Sequence, residues 1–280
     1  MLIEAEALAT QLGEPGQVII DCRYNLLEPG AGRQAWANGH IPGALYADLA
    51  HDLAGPKFSG SGRHPLPDPT AFAARVAGWG IGPGVLVVGY DDAGGQMAAR
   101  LWWLLRSLGH REVALLDGGY PAWLAAGLPI STSPPQPRLP MAPYPAAQAM
   151  PVVETPALVA SLNSRRWQLL DARARARFRG EQEPIDRVAG HVPGARNAPF
   201  TETLDQAGRF RSVAELAAYF TPLLRGKPIE AVAAMCGSGI TGCHTLFALE
   251  RAGLPGAALY AGSWSEWIQS PDRPVAVGDE

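Results

Sequence analysis

The chain has 280 residues, 47% hydrophobic and 18% charged, with a formal net charge of −3. That length leaves room for one large or two medium domains with an ample core, and the slightly negative balance argues against nucleic acid or an anionic membrane as a partner. Three cysteines, an odd number, do not make a disulfide framework and point to a reducing, cytoplasmic setting.

The start, Met1 to Glu6, carries no basic region and no apolar core, so no secretion leader is expected. No uncharged apolar run reaches the roughly 18 residues of a membrane span. After a helical opening, Val18–Asp21 reads as a short buried strand, followed by a loop and Gly39-His-Ile-Pro-Gly-Ala44. Val85–Asp91 reads as a strand entering a loop, and a helix is predicted over Met97–Leu108. Leu115-Leu-Asp-Gly-Gly-Tyr-Pro-Ala-Trp123 follows. Ser131–Met150 is rich in Pro, Ala and Ser; its prolines forbid a regular helix and predict a semi-rigid linker.

The second half repeats the first. Leu169-Leu-Asp-Ala-Arg173 and Gly190-His-Val-Pro-Gly-Ala195 match the early strand and turn about 150 residues on. Ala231–Cys236 matches Val85–Asp91, and Leu259-Tyr-Ala-Gly-Ser-Trp-Ser-Glu-Trp267 matches Leu115–Trp123. Ordered matches at a near-constant offset indicate two copies of one domain, 1–130 and 151–280, joined by the linker 131–150. Strands alternating with helical patterns predict an α/β fold, each copy a mostly parallel sheet with helices on both faces. In such sheets ligands bind beyond the C-terminal strand ends.

One such end holds Cys236. An apolar strand, a glycine-rich loop and then a helical pattern place a thiol where loop amides and the helix N-terminus, roughly half a positive charge, favour the thiolate. The candidate is a nucleophilic cysteine cradled by Gly237, Ser238, Gly239, Ile240 and Thr241. Gly237-x-Gly239-x-x-Gly242 formally matches a dinucleotide fingerprint, but the next strand ends in Gly262-Ser263 with no acid for a ribose. A phosphate P-loop lacks its Lys-Ser/Thr pair. A cysteine phosphatase needs an arginine six residues after its cysteine, where Gly242 stands. A merely buried structural cysteine suits Cys243 but not Cys236, whose surroundings are open and polar. The first copy has Asp91-Asp92 at the matching turn, so one copy is expected to be catalytic and the other a scaffold.

These residues resemble the tandem-domain sulfurtransferases of the rhodanese superfamily over nearly the whole chain. The motifs are Cys236-Gly-Ser-Gly-Ile-Thr241, Gly-His-x-Pro-Gly-Ala in both copies, Asp-Gly-Gly-x-x-x-Trp in the first and Gly-Ser-Trp-Ser-Glu-Trp in the second. The Cys-Gly-Ser-Gly loop is similar to that of 3-mercaptopyruvate sulfurtransferases; thiosulfate-preferring members usually carry Arg and Lys directly after the cysteine.

The resemblance implies two-step covalent catalysis through a Cys236 persulfide, without metal or organic cofactor. Sulfur would pass from 3-mercaptopyruvate to a thiol, such as a thioredoxin-like one, or to cyanide. A small anionic donor needs local positive charge, and Asp171–Arg179 offers arginines at alternate positions, which on an extended segment point the same way. The resemblance selects Arg177 and Arg187 to clamp the donor carboxylate, with Arg173 and Arg23 in structural ion pairs; a solvated basic edge is the bland alternative. It also implies a Ser-His-Asp relay of Ser238, His64 and Asp48, against which His64 stands as an ordinary loop histidine. His40, His191, Trp264 and Trp267 read as structural. Thiosulfate leaves as a dianion that calls for cations beside the sulfur, and Gly237 and Ser238 are neutral, so it is expected to be the poorer donor. A thiosulfate:cyanide sulfurtransferase and a persulfide carrier with little small-molecule turnover are the alternatives.

Overall fold

The computed structural model describes residues 1–145, 150–164 and 166–279. The chain divides into two compact units: Met1–Gly55 with Pro67–Ala149 and Gln206–Arg209, and Pro56–Leu66 with Met150–Asp205 and Phe210–Glu280. The segment Pro56–Leu66, which falls inside the first copy by sequence, thus packs in the second unit.

The first unit contains β1 (Leu2–Ile3), α1 (Ala5–Ala9), β2 (Gln17–Asp21), α2 (Ala31–Asn38), β3 (Leu45–Tyr46), α3 (Pro69–Gly78), β4 (Leu86–Tyr90), α4 (Gln96–Ser107), β5 (Val113–Leu116) and α5 (Gly119–Ala125). Its sheet runs β1-β5-β4-β2-β3, and every pairing is parallel. All five residues of β2 are buried, as a strand covered on both faces requires. The expected helical opening is therefore preceded by a strand, which pairs Leu2 with Leu115. Helix α3 starts with Asp68 accepting from the Ala71 amide at 2.9 Å and with Pro69 in its first turn. Residues 132–145 of the proline-rich stretch form no helix or strand. Ser131 bridges His40, and the Met141 amide donates to the Ala77 carbonyl. Residues 146–149 of the expected linker lie outside the described residues.

The second unit contains α6 (Thr155–Ser161), β6 (Gln168–Asp171), α7 (Arg175–Arg179), β7 (Arg196–Asn197), α8 (Val213–Leu224), β8 (Val232–Met235), α9 (Ile240–Arg251), β9 (Ala258–Leu259) and α10 (Ser263–Trp267), with short 3-10 turns at Phe200–Thr203 and Ile229–Ala231. The sheet order is β7-β6-β8-β9, again all parallel. A single parallel bridge, Val152 to Leu259, stands where β1 stands in the first unit. The two sheets therefore repeat one strand order, and the chain is a tandem α/β protein. Helix α8 opens with a reciprocal cap between Ser212 and Glu215. Trp264, Trp267, Phe178 and Met235 form the centre of this unit's core.

One local expectation is corrected. The arginine-rich run is not extended: Arg175–Arg179 is a helical turn closed by Gly180 at φ 80°. Its arginines therefore diverge instead of pointing one way. Among the described residues, no helix is long and apolar enough to cross a membrane.

Candidate active site

The matched strands β2 and β6 each end in a buried Asp that holds an Arg two residues on. Arg23 Nη2 donates to Asp21 at 2.6 Å and to the Gly39 carbonyl at 2.7 Å. Arg173 repeats this with Asp171 at 2.6 Å and Gly190 at 2.8 Å. His191 bonds the Phe178 carbonyl and stacks on its ring, as His40 does with Trp36. These pairs fasten the Gly-His-x-Pro-Gly turns in both units. Trp264 and Trp267 are fully buried, and Trp264 Nε1 donates to the Val188 carbonyl.

Cys236 follows the last residue of β8 and lies just before α9. It is only 3% exposed, yet its sulfur faces polar groups. The amides of Ser238 and Gly239 lie 3.4 and 3.1 Å from Sγ. This cradle places peptide dipoles and the first turn of α9 where negative charge on sulfur is solvated by the protein. Gly239 is required twice over: its φ is 84°, and an added Cβ would sit 2.5 Å from the Ala261 carbonyl oxygen. Ile240 and Thr241 form the start of α9.

The loop is braced from α10. The Cys236 amide donates to Ser263 Oγ at 3.1 Å, and Ser263 donates onward to the Tyr260 carbonyl. The amides of Trp264 and Ser265 bond the carbonyls of Cys236 and Gly237. Ser263 holds a left-handed φ of 53°, which costs a non-glycine residue about 1–2 kcal/mol.

Ser238 Oγ and His64 Nδ1 lie 2.8 Å apart, both buried. Asp48 belongs to the first unit, where its Oδ1 accepts from the Ala50 and His51 amides and pairs with the His51 ring at 2.9 Å.

Arg177 reaches the loop. Its Nε and Nη2 bond Glu183 at 2.8–3.1 Å, and Nη2 also reaches Asp186 at 3.1 Å. Burial pushes the Glu183 carboxyl up, but its bonds from Arg177 and from the amides of Asp186 and Ile185 outweigh that and leave it below its ordinary value. Burial pushes Asp186 up. Arg187 is exposed and donates to the Ile268 carbonyl.

Arg63 is the residue that sequence reasoning missed. Its guanidinium pairs with Asp186, its amide donates to Ser265 Oγ at 3.0 Å, and its Nη2 lies 2.6 Å from where a Cβ on Gly237 would stand. The signal was its place between Gly62 and His64. An added Cβ on Gly62 would fall 2.5 Å from the Gly262 carbonyl oxygen, so only glycine lets this segment lie so close.

Cys243 donates to the Gly239 carbonyl inside α9, and none of the three cysteines is in a disulfide. Among the described residues no cluster of His, Cys, Asp and Glu is placed to hold a metal.

The rhodanese-like domain family matches residues 4–126 and 155–270. The chain is 49% identical over 280 residues to a Pseudomonas aeruginosa protein named "Probable 3-mercaptopyruvate sulfurtransferase", covering 99% of this chain and 98% of that protein. It is 33% identical over 287 residues to the thiosulfate sulfurtransferase of Bos taurus, covering 98% and 93% of the two. The Escherichia coli 3-mercaptopyruvate sulfurtransferase SseA, a solved structure, aligns with a TM-score of 0.79 at 31% identity over 94% of this chain and 98% of that one. With both halves matched and full-length relatives on either side, this chain belongs to the rhodanese family.

Proposed function

We infer that the chain is a sulfurtransferase that carries sulfur as a persulfide on Cys236, taking it from 3-mercaptopyruvate and passing it to a thiol or to cyanide. The observation that carries this reading is the Cys236 sulfur held under the amides of Ser238 and Gly239 with guanidinium groups beside Gly237. In the first step the thiolate attacks the donor sulfur. A sulfur–sulfur bond forms, the donor carbon–sulfur bond breaks, and its electron pair leaves on the enolate of pyruvate. The donor's thiol proton, or an equivalent one, reaches the enolate carbon and yields pyruvate. In this reading the Ser238 hydroxyl, hydrogen-bonded to His64, relays that proton. Asp48 is the proposed third member of the relay.

In the second step the acceptor takes the outer sulfur. Cyanide leaves as thiocyanate and restores the Cys236 thiolate; a thiol leaves as its own persulfide. The acceptor in this reading includes the exposed thiol of a thioredoxin-like protein. The amide cradle serves both states, since negative charge sits on sulfur in each.

Thiosulfate is a second donor with a specific observation in its favour. The Arg63 guanidinium supplies a cation beside Gly237, the residue after Cys236, which the neutral pair Gly237-Ser238 does not. The test is steady-state kinetics of the purified chain with both donors, each with cyanide and with a small thiol as acceptor. A higher kcat/KM for 3-mercaptopyruvate is expected. A clear preference for thiosulfate would overturn the donor assignment, and a persulfide that loads once without repeated turnover would mark a carrier instead.

A further inference from the structure

We propose that Arg63, and not Arg187, is the second cation of the donor site, where it and Arg177 bind the donor carboxylate beside Cys236. This rests on the reading of the chain as a sulfurtransferase with a carboxylate-bearing donor.

Arg63 uses Nη1 on Asp186, and Arg177 uses Nε and Nη2 on Glu183 and Asp186. No acceptor among the described residues takes Arg63 Nη2 or Arg177 Nη1. Both of those nitrogens face the same spot, 2.6 and 3.7 Å from a Cβ built on Gly237, the residue next to the nucleophile. Two guanidinium groups with open N–H donors converging on one small volume form a receptor for a planar anion. Asp186 bridges them, with its two oxygens on different arginines and its side chain only 4% exposed, so it sets their spacing as a positioning residue. Glu183, 3% exposed, fixes Arg177 from the far side.

Gly237 completes the site. Its φ is not in the left-handed region, so its backbone does not demand glycine. The Arg63 guanidinium fills the space a side chain would take, so a Cβ there would displace it. Arg187, by contrast, is exposed and spends a donor on the Ile268 carbonyl.

The experiment compares the full-length chain with its Arg63→Met, Arg63→Lys, Gly237→Ala and Arg187→Met variants. Each is assayed with 3-mercaptopyruvate for KM and kcat, and then for loading of Cys236 by an alkyl persulfide that carries no carboxylate. Loss of one charge-assisted pair predicts a KM rise of about 10- to 100-fold for Arg63→Met, larger than any change in kcat. Arg63→Lys recovers part of it, Gly237→Ala raises KM by displacing the guanidinium, and Arg187→Met has the smaller effect. Loading from the carboxylate-free donor stays as in the wild type. A KM for Arg63→Met within twofold of wild type, or a larger rise for Arg187→Met, overturns the assignment. So does loss of loading from the carboxylate-free donor in Arg63→Met, which would give Arg63 a role other than holding the carboxylate. A folded wild-type chain that takes sulfur from neither 3-mercaptopyruvate nor thiosulfate overturns the sulfurtransferase reading itself.

Discussion

The same strand-to-helix turn occurs twice in this chain and has been put to two uses. In the first unit the turn after β4 holds Asp91, 1% exposed. Its two oxygens accept from the amides of Ala93, Gly95, Met97 and Ala98 at 2.8–3.0 Å. In the second unit the turn after β8 holds Cys236, with two amides on its sulfur. The first cradle is filled by the protein's own anion and is structurally complete. The second presents the same kind of amide cup to a group that can make and break a bond to sulfur. A second contrast lies behind each loop. Gly119, φ 60°, and Ser263, φ 53°, occupy the same left-handed position. Glycine is the unstrained choice there, and the second unit accepts a serine because its hydroxyl braces the Cys236 amide. A duplicated fold has thus kept its frame in both halves and its chemistry in one.

The sharpest way to break this comparison is to exchange stability for activity between the loops. Cys236→Ser should lower kcat by about a thousandfold or more with little change in urea melting, while Cys22→Ser and Cys243→Ser keep turnover. Cys22 is fully buried, and burial together with the charges of Asp91, Asp21 and Asp52 pushes its thiol well up, so it is no competing nucleophile. Asp91→Ala should do the reverse. It strands four amides and should cost on the order of 3 kcal/mol in urea unfolding, with kcat of the folded fraction unchanged.

Ser238→Ala and His64→Asn test what only the second loop has. Each should lower kcat with 3-mercaptopyruvate by about 100-fold and flatten the pH–rate profile. If Asp48→Asn lowers kcat by the same factor, it belongs to that relay; if not, its partners are His51 and its own loop.

Glu183 gives a pH signature. Its carboxyl is held below the ordinary value of 4.5, so it adds stability above that pH and loses it as pH falls through the interval beneath. Glu183→Gln should therefore melt below wild type at neutral pH, with the gap closing under acid conditions. The smallest effect is expected for Ser263→Gly. Relief of about 1 kcal/mol of backbone strain offsets the lost hydrogen bonds, leaving stability nearly level and kcat a few-fold lower.

The repeat, the parallel sheets and the Cys236 turn were legible in the sequence because they are written in local runs. An apolar strand, a glycine loop and a helical pattern sit within about twenty consecutive residues. The arginine cluster was not legible in this way. Its period of two suggested an extended segment, but Ala174, Ala176 and the left-handed cap at Gly180 favour a helical turn, in which Arg177 pairs with Glu183 and Arg179 with Glu181. Strand β1 is two residues long and carries no pattern of its own; its pairing with β5 makes it a strand. Arg63 escaped because its place depends on Gly62 touching the Gly262 carbonyl and on Asp186, more than a hundred residues away. No local periodicity contains those contacts.

The central claim is that Cys236 holds the travelling sulfur, and the mass of the intact protein tests it most directly. Incubated with 3-mercaptopyruvate and no acceptor, the chain should gain about 32 Da, one sulfur atom, located by peptide mapping to Cys236 and removed by cyanide with release of thiocyanate. No adduct, or one on Cys22 or Cys243 that persists in Cys236→Ser, would contradict the account.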